Sequence, residues 1–358
     1  MQNLDNQEDI KKLDPSGVLK SICLFSDQCF QAWSESSQIK FPLAYEQVQN
    51  IVVCGMGGSR FTPRTIKELF SDRIRVPYEI IDDYTVPAYV DQHSLVIVSS
   101  YSGSTEEPIS AGKAALKRGA KLTAVTSGAQ VAKMMRELQL PAYIFNDIKY
   151  NPCRQPRIGS GYMLLGHLGI LKSLKFIKIE TKEIFEAIKF AELVGKQYYP
   201  QVRIANNLAK QLAKILYNKH AFIVSAEFLK GFANGFANQI NENAKMISDY
   251  RFIPELNHHL MEGLQRPASL HDNGLFLFIL SNLYSPEIQK RFAITQEVVT
   301  KQKLATHRVI LAGKTKLAQA LEAFTLSGFS SFYLAMLYGT DPIKIPWVDY
   351  FKEQLAKV

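Results

Sequence analysis

Two loops in this sequence concentrate residue types that hold anions. GMGGS, Gly55 to Ser59, follows the apolar run Asn50 to Cys54, and SYSGST, Ser100 to Thr105, follows Ser94 to Val98. Glycines let a backbone approach a ligand, hydroxyls donate hydrogen bonds without adding charge, and a helix start presents free N–H groups. Placed beyond the carboxyl ends of adjacent parallel strands, such loops form a cup for phosphate. Either loop alone reads better as a turn with a helix cap, where Ser and Thr are favoured. Two together favour the cup. A dinucleotide site is weaker, because Gly55-x-Gly57 opens like GxGxxG but Arg60 occupies the third glycine position. No P-loop lysine follows either loop.

The second half supplies groups for proton chemistry. Glu242 stands between the amides of Asn241 and Asn243 in a helical context, where hydrogen bonds from those amides would fix it as a base toward a carbon acid. An exposed helical Glu is the ordinary alternative. His258 and His259 can move protons near neutral pH, but they point in different directions and lack an HExxH-type spacing, so no metal is expected. Arg157, in Gln155-Pro156-Arg157, suits a developing negative charge or a sugar hydroxyl. Lys352, near the end of the chain, points nowhere by itself.

The elements that position these residues alternate. Helical spacing of Leu19, Ile22, Phe25, Phe30 and Trp33 makes the first forty residues helical, with a start signal at Asp14-Pro15-Ser16. Strands are expected at 50–54, 77–81, 94–98, 121–126 and 143–145, with helices after the glycine turn and at 108–118. Beyond a helical stretch at 161–211, the pattern resumes with strands at 221–224, 274–280 and 307–311, and a last helix at 347–356. Apolar strands alternating with helices imply parallel sheets covered on both sides. Asn151-Pro152 and Gln155-Pro156 punctuate the chain. The expected fold is therefore α/β, with two doubly wound domains in series, residues 1–160 and 161–358.

Composition narrows the class. Hydrophobic residues at 47% and charged residues at 21% fit a globular protein, and no apolar run approaches bilayer length. The polar N-terminus is not a targeting peptide. Four cysteines without CxxC or framework spacing read as reduced thiols, hence a cytoplasmic location. The net charge of +9 is spread along the chain, which suits small anions better than nucleic acid.

GMGGS, SYSGST, QPR, NENAK, PELNHH and a C-terminal DP occur in the order seen in the bifunctional phosphoglucose/phosphomannose isomerases of the sugar isomerase (SIS) superfamily, and the chain resembles that family over nearly its whole length. NENAK followed by ELNH, with His258 sixteen residues after Glu242, is the most specific part. The resemblance implies two SIS domains and aldose–ketose isomerisation of glucose 6-phosphate and fructose 6-phosphate, with mannose 6-phosphate as a further substrate, without a cofactor or metal. It implies substrate binding by Gly57, Gly58, Ser59, Ser100, Ser102 and Thr105, the last three holding the phosphate. It also implies proton transfer between C1 and C2 by Glu242, enediolate stabilisation by Arg157, ring opening by His258, and a lysine at position 352. A homodimer with a site shared through His258 belongs to the same expectation, with no nucleic-acid or membrane partner. The rival readings are a non-catalytic SIS sugar-phosphate sensor and an SIS isomerase of another phosphosugar. Ser104, His259 and Ile343 depart from the family's SYSGNT, NHN and DPTPV.

Overall fold

The computed structural model of the chain describes residues 3–146, 148–355 and 357. The helical opening is three helices, α1 (Gln7–Leu13), α2 (Val18–Cys23) and α3 (Phe25–Ser36). Asp14 separates the first two: its carboxylate accepts from the N–H groups of Val18 and Leu19, both at 2.8 Å. Those donors would otherwise lack partners at a helix start. A single turn, α4 (Leu43–Glu46), leads into the first sheet.

That sheet is built from β1 (Asn50–Cys54), α5 (Gly58–Leu69), β2 (Tyr78–Ile81), β3 (Ser94–Ser100), α6 (Glu106–Lys117), β4 (Lys121–Thr126), α7 (Ala129–Glu137) and β5 (Tyr143–Ile144). The strand order is β2-β1-β3-β4-β5 and every pairing is parallel. β3 is buried at every position, as a strand covered on both faces must be. β1 and β3 are neighbours, with Cys54 opposite Val98, so the two anion-type loops emerge side by side.

The stretch expected as one helical region is α8 (Ser160–Ser173), α9 (Thr181–Lys196) and α10 (Leu208–Leu216). The division at 160/161 falls in the first turn of α8, which packs on α3 and α5. The second sheet follows: β6 (His220–Ala226), α11 (Lys230–Ala244), β7 (Ser248–Ile253), the short α12 (Leu260–Gly263) and α13 (Leu270–Asn273), β8 (Gly274–Leu280), α14 (Pro286–Lys301) and β9 (Ala305–Ile310). Its order, β7-β6-β8-β9, is again all parallel. β7 escapes a search for apolar runs because it is an edge strand whose Asp249, Tyr250 and Arg251 are only half-buried.

Helix α15 (Lys316–Leu337) is buried along its length and packed among α2, α9, α10 and α11. Being buried on all faces, it shows no helical stripe in the sequence. Its 22 residues are long and apolar enough to cross a membrane, which corrects the expectation that no run approaches that length; here they lie inside the protein. The chain ends in α16 (Pro346–Leu355); Ala356, the expected end of that helix, lies outside the described residues.

The two sheets meet where α5 crosses α11. At Gly231 a Cβ would overlap the backbone of Thr65, so only glycine lets the helices approach this closely. Phe61 of α5 stacks on Phe324 of α15, with ring centroids 5.8 Å apart. This crossing fixes the start of α5, which carries the first loop, against α11, which carries Glu242.

Candidate active site

The hydroxyl loop is a pre-built cluster. Ser100 Oγ donates to Thr105 Oγ1 at 3.2 Å and accepts from the Gly103 N–H at 3.1 Å. Ser102 Oγ lies 3.5 Å from Thr105 Oγ1, and Ser104 Oγ donates to Ser102 Oγ at 3.1 Å. Thr105 stands at the N-cap position of α6 without a side-chain cap bond, and a helix start presents free N–H groups. Gly103 takes φ +72°, and a Cβ there would overlap the carbonyl oxygen of Gly128. The Asn151 amide donates to the buried Tyr101 hydroxyl at 2.6 Å, anchoring the loop from behind.

The first loop is stapled to the second. Ser59 Oγ accepts from the Tyr101 N–H at 2.9 Å, and the Ser59 carbonyl accepts from Ser99 Oγ at 2.7 Å. Ser99 therefore holds the loops together instead of facing a ligand. Gly57 turns the chain at φ +49° into α5, and Gly58 lies against the carbonyl of Pro156. That contact sets the residue before Arg157 beside the cup.

Arg157 is buried and spends its whole guanidinium. Nε donates to Asn243 Oδ1 at 2.6 Å, and Nη1 to Gln155 Oε1 at 2.8 Å and to Glu242 Oε2 at 3.3 Å. Nη2 donates to the carbonyls of Pro342 and Ile343 at 2.7 and 3.2 Å. Burial lowers its pKa and the Glu242 carboxylate opposes the fall; an arginine remains charged at neutral pH. Glu242 keeps 34% of its side chain exposed, so a ligand can reach the carboxylate that Arg157 orients.

The flanking amides act differently from expectation. Asn241 Oδ1 accepts from the Ser248 N–H at 2.9 Å, and Asn243 receives Arg157 and donates to Ser331 Oγ at 3.0 Å. They hold the start of β7 and the arginine, and the arginine holds Glu242. Asn243, Gln155 and the carbonyls at 342 and 343 are the site groups that sequence reasoning missed. NENAK and QPR contain the first two, but nothing local tells which partner each meets.

Lys245 also lies here. Its Nζ donates to the Asp341 carbonyl at 2.8 Å and to the Asn243 carbonyl at 3.1 Å. His258 ends a short 3-10 turn, Glu255–His258, and is exposed. Asn257 pins this turn to α14 by donating to Thr295 Oγ1 at 2.7 Å, beside a cleft of about 440 Å³ lined by Met261, Lys290, Arg291 and Ile294. Neither Arg157 nor Glu242 lines that cleft. Lys352 is exposed on α16, though Asp349, one turn earlier, is close enough to raise the pKa of Arg157. The structure therefore brings together Arg157, Glu242 and the 341–343 segment, with the two loops adjoining, and leaves His258 and Lys352 on the outside of the chain.

The second sheet has a corresponding pair of loops, after β6 and β8, but its end is occupied. Glu227 Oε1 accepts from the Ser285 hydroxyl at 2.7 Å and from its N–H at 3.0 Å, putting the chain's own carboxylate at the start of α14. The hydroxyl cup of the first sheet has no such carboxylate among the hydrogen bonds of Ser100, Ser102 and Thr105. Among the described residues, no three His, Cys, Asp or Glu side chains are grouped to hold a metal. All four cysteines are free, and burial pushes the thiols of Cys23 and Cys54 up to about 12.

Residues 205–355 match the bacterial phospho-glucose isomerase C-terminal SIS domain family. The chain is 30% identical over 346 residues to a bifunctional phosphoglucose/phosphomannose isomerase of Caldicellulosiruptor bescii, covering 95% of this chain and 99% of that protein. A second such isomerase, from Thermoplasma volcanium, is 27% identical over 89% of this chain and 96% of its own length. The crystal structure of a glucose-6-phosphate isomerase from Chlamydia trachomatis superposes with a TM-score of 0.68 at 16% identity, over 92% of this chain and 72% of that one. At that identity the likeness speaks for the fold.

Proposed function

Since this chain belongs to the bifunctional phosphoglucose/phosphomannose isomerase family, we propose that it interconverts glucose 6-phosphate and fructose 6-phosphate, and accepts mannose 6-phosphate, by proton transfer through a cis-enediolate. The observation that carries this reading is the pair of Glu242, reachable by a ligand, and the buried Arg157, 3.3 Å apart beside two loops built for an anion.

In this reading the phosphate sits among Ser100, Ser102, Thr105 and the N–H groups of α6, with Gly57 and Gly58 giving room for its approach and Ser59 fixing the loop. Glu242 takes the C2 proton of the open-chain aldose and returns it to C1. The negative charge that builds on the enediolate oxygens lies in the field of Arg157, whose N–H groups are already given to the chain and whose position is set before substrate arrives. Ring opening is assigned to His258 of a second copy, because within the chain His258 is exposed and outside the Arg157–Glu242 cluster. A homodimer with a shared site follows. α16 suits that assembly, as Trp347, Tyr350 and Phe351 are exposed on it at 78%, 56% and 64%, and Lys352 shares the helix. The free thiols accord with a cytoplasmic location.

The test is a proton NMR time course with fructose 6-phosphate in D2O after EDTA treatment. Glucose 6-phosphate deuterated at C2 is expected, with mannose 6-phosphate as a second product. Glu242→Gln should bind the sugar phosphate and turn over about 10²–10⁴-fold more slowly. Folded protein that binds the sugar phosphate yet forms neither product would refute the isomerase reading in favour of a sensor.

A further inference from the structure

Lys245 ends α11 in the left-handed region, at φ 55° and ψ 31°. Glycine is the usual residue there because a Cβ crowds the following carbonyl oxygen. The lysine is kept in that conformation with its side chain turned across the end of the helix, and the two carbonyls it reaches are those of Asn243 and Asp341. Arg157 takes the next two carbonyls, Pro342 and Ile343. Three successive carbonyls thus each accept from a cation, and the Asp341 carboxylate closes the turn on the Ile343 N–H at 3.0 Å. The two cations share Asn243, one through its side chain and the other through its carbonyl.

We propose that Lys245 is a positioning residue for the proton transfer: with Arg157 it clamps Asp341–Ile343 beside Glu242 and supplies the second positive charge of the site. This rests on the reading of Glu242 as the proton carrier. The segment it clamps is the one whose sequence departs from the family pattern, so Lys245 sets the wall of the pocket where this chain differs.

The charged groups around Lys245 are Arg157 from the segment before α8, Glu242 on its own helix and Asp341 after α15. Lys344 faces the other carboxylate oxygen of Asp341 at 3.8 Å, and Asp349 of α16 acts on Arg157. Burial of the ammonium, then repulsion by Arg157, brings its pKa down to about 8, against Asp341 and Glu242. Lys245 as a residue is exposed, so solvent moderates these effects. The ammonium is therefore present at neutral pH and lost as pH rises through about 8, which removes the second charge and gives an alkaline limb to kcat/KM.

Full-length Lys245→Met and Lys245→Arg are compared with wild type on fructose 6-phosphate across the alkaline range, together with amide exchange of residues 341–345. Lys245→Met should lose about tenfold or more in kcat with KM changed less than about threefold, since the phosphate cup is untouched. It should also lose the alkaline limb near pH 8 and exchange the Ile343 amide faster. Lys245→Arg should recover most of kcat and shift the limb upward. An active wild type beside a Lys245→Met protein with unchanged kcat and the same limb overturns the proposal. An inactive wild type refutes the isomerase reading and the catalytic part with it, and unaltered Ile343 exchange in Lys245→Met then overturns the clamp.

Discussion

Replacing Arg157 by Met removes five donated hydrogen bonds and half of an ion pair. The arginine side chain is 2% exposed, so its loss cannot be made good by water at Asn243 Oδ1 or at the Pro342 carbonyl, both buried. Each buried acceptor left without a donor costs about 1–3 kcal/mol. Glu242 is a third exposed, so its share is nearer the roughly 0–1 kcal/mol of a surface pair. A loss of about 3–5 kcal/mol in unfolding free energy is expected, in the range for breaking a buried pair. Turnover should fall about 10²-fold, as for misplacement of a catalytic group, because Glu242 loses the partner that orients it. Arg157→Lys keeps the charge but not the planar fork. It should remain folded and still lose about tenfold or more in kcat. Urea unfolding followed by fluorescence of the buried Trp33, at fixed protein concentration, reads the first quantity, and initial rates on fructose 6-phosphate read the second. Unfolding of Arg157→Met within about 1 kcal/mol of wild type would refute the clamp energetics. Wild-type kcat in Arg157→Lys would refute the geometric role even where the Met variant does not fold.

Gly103→Ala forces a Cβ onto the Gly128 carbonyl and a left-handed φ on alanine; about 2–4 kcal/mol of stability should be lost, and KM for the sugar phosphate should rise, as urea midpoints and kinetics would read. Inactive Glu242→Ala mixed with inactive His258→Ala should regain activity if His258 serves a partner's site; no recovery despite demonstrated subunit exchange would refute the shared site. His167 is buried with Nδ1 2.6 Å from the Met163 carbonyl, and burial pushes its pKa from 6.5 down to about 4. The unfolded chain takes up a proton below about pH 6.5 that the folded chain refuses, so stability falls by up to about 1.4 kcal/mol per unit from pH 6.5 toward pH 4. His167→Gln should flatten that slope by one proton, measured as unfolding free energy against pH.

The sequence alone determined the local elements. β1, β4 and β8 span the expected residues, because apolar runs bounded by turns are read within a few positions. The anion character of the two loops and the family itself were legible in short motifs. β7 and α15 were not, since an edge strand carries polar residues and a helix buried on all faces has no stripe. Only the tertiary structure decided that Ser99 is a staple, that Arg157 rather than the neighbouring amides orients Glu242, and that Lys245 belongs to the site. The partners of Arg157 on α11 lie 85 and 86 residues along the chain, and the carbonyls it holds lie 185 and 186 residues away. Periodicity and motif spacing act over a few residues. Contacts across such distances exist only because two sheets dock through the close crossing of α5 and α11.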